Sequence, residues 1–121
     1  MELTFTPGET NIICSDLERS LRFYRDILGF QVIEREGPAA VHMRCADRPF
    51  LLLAVARSPI DEVKYCEIPA ISFDLLVGDI EEAVNYFRDR GVEFESPWRE
   101  NNPFVFIKDP DDLVIEIVQK E

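Results

Sequence analysis

The fold is decided by a stretch that the chain contains twice, SDLERSLRFYRD at residues 15–26 and GDIEEAVNYFRD at residues 78–89. Apolar side chains recur at helical spacing in both copies, which predicts two amphipathic helices. Asp16 and Asp79 are predicted N-caps, because a carboxylate accepts hydrogen bonds from the free amides of a first helical turn. Gly29 and Gly91 are predicted to end the helices, because glycine adopts the left-handed conformation without strain. The chain therefore consists of two copies of one unit.

Each predicted helix follows one strand-like segment and precedes three more, with turn sequences rich in Gly, Pro and Asp between them. The order is βαβββ twice, an α+β fold within a single domain of residues 1–121. The first module covers about residues 3–55, a polar linker covers 56–69, and the second module covers 70–121. One helix covers one face of a four-stranded sheet, and we expect the second copy to cover the other. The predicted strands are residues 10–14, 30–34, 39–44, 50–55, 71–77, 92–95, 104–108 and 113–118.

The charge and the cysteine content of the chain indicate which kinds of binding partner it has. The chain has 13 Lys and Arg against 24 Asp and Glu, a formal net charge of -11, which repels nucleic acids and anionic membranes and favours cationic ligands. Solubility alone also explains such a charge. No apolar run approaches the roughly 20 residues of a membrane span, and no signal peptide is recognisable. Cys14, Cys45 and Cys66 lack CxxC spacing and indicate reduced thiols, so we expect a cytoplasmic protein without nucleic-acid or membrane partners.

Two motifs carry a family resemblance. One is DL at residues 16–17 followed by FYRDILGF at 23–30, and the other is FIKDPD at 106–111 running into VIEI at 114–117. They resemble the first helix and the final hairpin of the vicinal oxygen chelate superfamily, which includes glyoxalases, bleomycin resistance proteins and ring-cleaving dioxygenases. The resemblance covers nearly the whole chain and implies paired modules forming a cup-shaped mixed sheet, often in a homodimer. Asp112 stands where such proteins usually carry Gly, and Asp tolerates left-handed geometry.

The resemblance also implies positions for a metal. Metal-dependent members place ligands on the first and last strands of each module, and these positions correspond here to Glu9, Leu53, Ser72 and Glu116. Leu53 has no donor atom, and Ser72 is a poor ligand. The two carboxylates alone would hold a divalent ion weakly, with water completing its shell. We therefore expect no cofactor and no tightly bound metal, while a weak divalent metal at Glu9 and Glu116 stays open.

Strand alternation predicts which side chains face away from the helices and line a pocket for a small-molecule ligand. Carboxylates and apolar side chains dominate this lining, with one histidine and one arginine opposite them. Trp98, in a loop before the seventh strand, either stacks on a flat ligand or fills a dimer interface. The predicted ligand-binding residues are Glu9, Asn11, His42, Arg44, Leu53, Ser72, Asp74, Trp98 and Glu116.

Three functions remain open. The first is a metal-free protein that binds and sequesters a small cationic or aromatic compound, as the bleomycin-resistance branch of the superfamily implies. The second is a superfamily enzyme: a metal-dependent lyase, isomerase or dioxygenase, or a metal-free variant with Glu9 or Glu116 as general base. The third is a structural or regulatory dimer. The incomplete ligand set and the acidic lining favour the first, and we expect a homodimer because an open sheet exposes an apolar face and unpaired edges.

Overall fold

The chain forms two compact units, Met1–Ser58 (unit 1) and Pro59–Glu121 (unit 2). The structure, a computed structural model, describes residues 4, 6–54 and 71–121. The predicted linker, residues 56–69, lies outside the described residues, as do Val55 and Cys66.

The described residues of unit 1 form one four-stranded sheet and one helical segment. The strand order is β1-β4-β3-β2, in which β1 runs parallel to β4 and the other two pairings are antiparallel. The first strand of the unit therefore pairs with its last. The elements are β1 (Thr10–Cys14), α1 (Leu17–Leu21), a π-helical turn (Arg22–Ile27), β2 (Gln31–Glu36), β3 (Ala40–Cys45) and β4 (Arg48–Ala54).

Unit 2 repeats this arrangement with the strand order β5-β8-β7-β6 and a parallel β5–β8 pair. The α+β class and the repeated βαβββ order are thereby confirmed. The sixth strand is shorter than the predicted 92–95, since Pro97 follows closely and has no amide hydrogen for a ladder. The elements are β5 (Phe73–Val77), α2 (Ile80–Asp89), β6 (Glu93–Phe94), β7 (Phe104–Lys108) and β8 (Val114–Gln119).

Both helices begin at the predicted aspartates. The Asp16 carboxylate accepts a hydrogen bond from the Arg19 amide at 3.0 Å, and the Asp79 carboxylate accepts one from the Glu82 amide at 3.2 Å. Both aspartates have extended backbones, as N-cap residues do. Within the described ranges, no helix is long and apolar enough to cross a lipid bilayer.

The two helices end differently, although each is followed by its predicted left-handed glycine, with φ 77° at Gly29 and 69° at Gly91. The glycine follows the shared Arg-Asp pair after two residues in the first copy and after one in the second. The π-helical turn accommodates this extra residue, because the Leu28 amide bonds to the carbonyl five positions earlier at 3.1 Å. A one-residue difference between the copies thus becomes a local change of helix type.

Each helix covers one face of the sheet in its own unit, as contacts of α1 with β4 and of α2 with β7 and β8 show. Buried side chains alternate with more exposed ones along β1 and along residues 115–118 of β8, where Ile12, Cys14, Ile115 and Ile117 are at most 2% exposed. Cys45, the last residue of β3, is half-buried. The residues between the buried ones lie on the opposite side of each sheet, which we call the open face.

Candidate functional site

The open face of unit 1 combines polar and apolar side chains from all parts of the sheet. The strand register pairs Asn11 with Leu51, Leu51 with His42, and His42 with Glu34, and register partners share a face. The face therefore brings together several of the predicted ligand-binding residues. Its members are Glu9, Asn11, Ile13, Glu34, Glu36, His42, Arg44, Leu51 and Leu53.

His42 lies between two carboxylates on this face. Its Nδ1 is 2.7 Å from Glu9 Oε2, and its Nε2 is 2.7 Å from Glu36 Oε2. Only the protonated ring can donate from both nitrogens at once. The hydrogen bonds to Glu36 and to Glu9 raise the pKa of His42, and partial burial opposes them more weakly. We call Glu9, His42 and Glu36 the histidine cluster.

Arg44 supplies a second cation to the same face. Its Nη2 donates to Gln31 Oε1 at 3.0 Å, and Gln31 is its register partner on β2. With His42 protonated, two cations accompany the carboxylates of Glu9, Glu34 and Glu36. The open face of unit 1 therefore balances most of its negative charge internally.

The open face of unit 2 has a different composition. The register pairs Asp74 with Glu116, and Glu116 with Phe106, which places two carboxyl groups and an aromatic ring in one row across three strands. The Phe104 and Phe106 rings meet edge to face, with centroids 5.8 Å apart. Apolar exposure is high here, at 61% for Leu76. The next row along the strands consists of Leu76, Val118 and Phe104.

The two carboxyl groups of the first row affect each other. Burial raises the pKa of Glu116, and the negative charge of Asp74 and a hydrogen bond between the two carboxyls raise it further. Such a hydrogen bond needs a proton on one of the carboxyls, because two ionised carboxylates only accept. We call Asp74 and Glu116 the acid pair. It retains a proton more readily than an isolated carboxyl does.

The remaining predicted residues of unit 2 lie outside the strands. Trp98 is half-buried in the loop between β6 and β7, where its indole Nε1 donates to the Asn102 carbonyl oxygen at 3.0 Å. Ser72 is exposed and directly precedes β5. Because the indole donor is used within the loop, a ligand could contact Trp98 through the ring alone.

The amino-acid sequence matches the Glyoxalase/Bleomycin resistance protein/Dioxygenase superfamily over residues 6–117. This chain belongs to that superfamily. The expected membership of the vicinal oxygen chelate group is confirmed. The uncharacterized protein YwkD of Bacillus subtilis (strain 168) is 30% identical to this superfamily member over 119 residues, which cover 90% of this chain and 92% of YwkD.

Three solved structures share the fold of this superfamily member. Lactoylglutathione lyase from Agrobacterium tumefaciens is 22% identical with a TM-score of 0.69, over 98% of this chain and 96% of that one. The genomically encoded fosfomycin resistance protein FosX from Listeria monocytogenes is 14% identical with a TM-score of 0.76, over 98% and 94%. A glyoxalase family protein from Enterococcus faecalis is 21% identical with a TM-score of 0.76, over 93% and 96%. At these identities, the likeness concerns the fold.

The residues of this superfamily member do not fit the metal site of metal-dependent relatives. Of the four corresponding positions, Leu53 offers no donor atom, Glu9 is hydrogen-bonded to His42, and Glu116 belongs to the acid pair. Among the described residues, no group of three or more His, Cys, Asp or Glu side chains could hold a metal ion. The histidine cluster does not form a metal site either, because its two carboxylates lie against different nitrogens of the imidazole ring.

A surface hollow of about 480 Å³ lies against α2 in unit 2. The Arg90 guanidinium stacks there on Tyr86, 3.5 Å from the ring centroid. We place the candidate site on the open faces instead, because His42 and Glu116, whose pKa values are both raised, lie there. The hollow is lined by Asp79, Glu81, Glu82, Asn85, Tyr86, Asp89 and Arg90.

Sequence reasoning missed two residues among the histidine cluster and the Asp74–Glu116–Phe106 row, namely Glu36 and Phe106. Glu36 lies beyond the predicted end of the second strand at residue 34, and a register shift between Val32 and Glu34 disturbs the alternation that would have assigned its face. Phe106 could have been predicted from the sequence, because the alternation of side chains within the predicted strand 104–108 assigns it to the open face.

Proposed function

We propose that this superfamily member is a metal-free protein that binds small cationic or neutral aromatic compounds on the open face of unit 2. One observation carries the proposal: Asp74, Glu116 and Phe106 form a row in which two carboxyl groups lie beside an aromatic ring. The residues predicted for ligand binding on unit 1, among them Asn11 and Leu53, have a secondary part in this proposal.

The charge of the acid pair supports a preference for cations. Two carboxyl groups side by side repel each other when both are ionised, and a cation placed against them removes that repulsion, whereas an anion adds to it. Unit 1 differs, because His42 already provides a cation to Glu9 and Glu36. The net charge of -11 extends the attraction beyond direct contact, so binding should weaken as salt increases.

The side chains around the acid pair support a preference for flat, apolar ligands. Phe104 and Phe106 present two rings at 71° to each other, and Leu76 and Val118 continue the apolar surface. A cation over an aromatic face gains about 0.5–2 kcal/mol, depending on how far it is desolvated. A compound that joins a cationic group to an aromatic ring therefore matches both parts of the row.

Titration calorimetry with three matched compounds tests the proposal. We expect benzyltrimethylammonium to bind most tightly, benzyl alcohol more weakly, and benzyl phosphate not measurably. Glu116→Gln should weaken binding of the cation and leave binding of the alcohol unchanged, because the amide keeps the shape of the side chain. Glu81→Gln is the matched control, since it removes the same charge from the exposed surface of α2.

Two results would contradict the proposal. One is equal loss of cation binding in both variants, which would attribute the effect to net charge rather than to the acid pair. The other is binding of glutathione-like or coenzyme-A-like anions without binding of the cationic compound. That result would favour an enzyme acting on an anionic thioester.

The raised pKa of Glu116 supports a second candidate, a metal-free lyase or isomerase in which Glu116 moves a proton to or from the substrate. Glu9 is the weaker candidate base, because its carboxylate is engaged by His42. Nuclear magnetic resonance in D₂O distinguishes the two functions. Deuterium entering a carbon of a bound carbonyl compound, and lost in Glu116→Gln, would favour the enzyme; binding without exchange would favour the binding protein.

A further inference from the structure

The histidine cluster spans the whole sheet of unit 1. The sheet order is β1-β4-β3-β2, so β1 and β2 are the two edge strands. Glu9 directly precedes β1, Glu36 is the last residue of β2, and His42 lies on β3. Because β4 separates β1 from β3, the hydrogen bond between Glu9 and His42 crosses β4 on the open face. One imidazole ring thus links both edges of the sheet.

We propose that the histidine cluster is a proton-operated latch across the open face of unit 1. An imidazolium ring has two N–H donors and bonds to both carboxylates, whereas a neutral ring keeps one donor and exposes a lone pair on the other nitrogen. Loss of the proton turns one of the two contacts into a repulsive one between a lone pair and a carboxylate. The latch is closed while His42 is protonated and half-open when it is neutral.

The other groups of unit 1 that face His42 do not change this outcome. Glu34 on β2 is its register partner and adds a negative charge that favours the protonated ring. Arg44, two residues along β3, opposes protonation, but its guanidinium is bonded to Gln31. From β4, the facing side chains are apolar, with Leu51 directly opposite His42. The two hydrogen-bonded carboxylates, Glu9 and Glu36, therefore have the largest influence on the protonation of His42.

The structure also indicates which contact opens. The side chain of Glu36 is 70% exposed, whereas that of Glu9 is 34% exposed. Water solvates the released Glu36 carboxylate more completely, so releasing it costs less than releasing Glu9. The neutral ring should therefore keep its proton on Nδ1 for Glu9 and lose the proton from Nε2. Opening frees the end of β2 and the turn that leads from it into β3.

Nitrogen-15 magnetic resonance of the His42 ring, titrated in the presence of a chelator, tests the latch. In the wild-type protein the midpoint should lie above the ordinary value of 6.5. Below the midpoint both ring nitrogens should carry protons, and above it Nδ1 alone should. The protection factors of the amides of residues 36, 37 and 39, which are the intrinsic exchange rates divided by the measured ones, should fall as pH rises through the same midpoint.

Conservative variants separate the latch from a general charge effect. Glu36→Gln should lower the midpoint and leave the neutral ring protonated on Nδ1. Glu9→Gln should lower the midpoint and move the proton of the neutral ring to Nε2. Glu34→Gln is the matched control, because Glu34 lies on β2 and on the open face like Glu36 but has no hydrogen bond to His42. It should change the midpoint least of the three variants. In His42→Gln, the protection factors of residues 36, 37 and 39 should no longer fall at that midpoint.

Three results would overturn the latch. They are a wild-type midpoint at or below 6.5, a neutral ring protonated on Nε2 in the wild-type protein, and protection factors of residues 36, 37 and 39 that do not change at the His42 midpoint. Since His42 lies on unit 1 and the proposed ligand site on unit 2, failure of the latch leaves the proposed function standing. Circular dichroism of each variant checks that the fold is kept.

Discussion

Replacing Glu116 with Gln should make the protein more stable at pH 8 and change its stability little at pH 4. Asp74 and Glu116 are register partners on adjacent parallel strands. Cross-strand side-chain pairs contribute about 0.2–1 kcal/mol each, and like charges directly opposite each other destabilise; glutamine removes this repulsion while keeping the side-chain shape. A gain near the top of that range would raise Tm by about 4 °C.

The pH dependence follows from the raised pKa of Glu116 in the folded chain. A folded-state pKa above the ordinary 4.5 means that protonation favours the folded state, so this stabilisation is complete below 4.5 and is lost as pH rises through the folded-state value. At pH 4 the wild-type carboxyl is mostly protonated, and glutamine has little repulsion to relieve. As pH rises through the folded-state pKa of Glu116, its carboxyl group ionises beside the negative charge of Asp74, and the glutamine variant avoids the resulting loss of stability.

Urea unfolding at the two pH values measures the effect. Asp74→Asn should give a smaller gain at pH 8, because the Glu116 carboxylate stays buried, and the double variant should gain no more than Glu116→Gln alone, because the one repulsive contact is removed only once. A loss of stability at pH 8, an equal gain at pH 4, or additive gains in the double variant would refute the repulsion. If the acid pair binds the ligand, Glu116→Gln should make the protein more stable and at the same time weaken its binding of cations.

Four further outcomes are expected. His42 has a raised pKa, so the stabilisation it provides is complete below 6.5 and lost as pH rises through the folded-state value; His42→Gln should lower stability in urea at pH 5.5 and change it little at pH 9. Asp16→Ala and Asp79→Ala should each cost about 1 kcal/mol, while asparagine at either position should preserve most of the cap; equal losses with asparagine would contradict the capping role. Elemental analysis without added metal should find no near-stoichiometric zinc, nickel, iron or manganese, because Leu53 supplies no ligand; a metal released only by strong chelation would contradict this. Light scattering should give twice the mass of one chain, because apolar side chains are exposed on the open faces, and a clean monomer would contradict the homodimer.

The sequence by itself determined the elements of the fold, because the features that define them are local. An aspartate cap and a left-handed glycine depend on a few neighbouring residues, and alternation assigns strand faces from single-residue spacing. The predicted strands 10–14 and 104–108 agree with β1 and β7 to the residue. The ends of the other strands differ from the predicted ends by at most two residues, because a strand ends where its hydrogen bonding to the neighbouring strand ends.

The tertiary structure decided which side chains meet. Asp74 faces Glu116 because the parallel β5–β8 register aligns them, and that register results from packing the whole sheet on α2. The histidine cluster requires a register shift in β2 and a contact that crosses β4. No local pattern encodes either contact, because each joins segments that are separated in the sequence or in the sheet. The acid pair and the histidine cluster therefore emerge only in the folded chain.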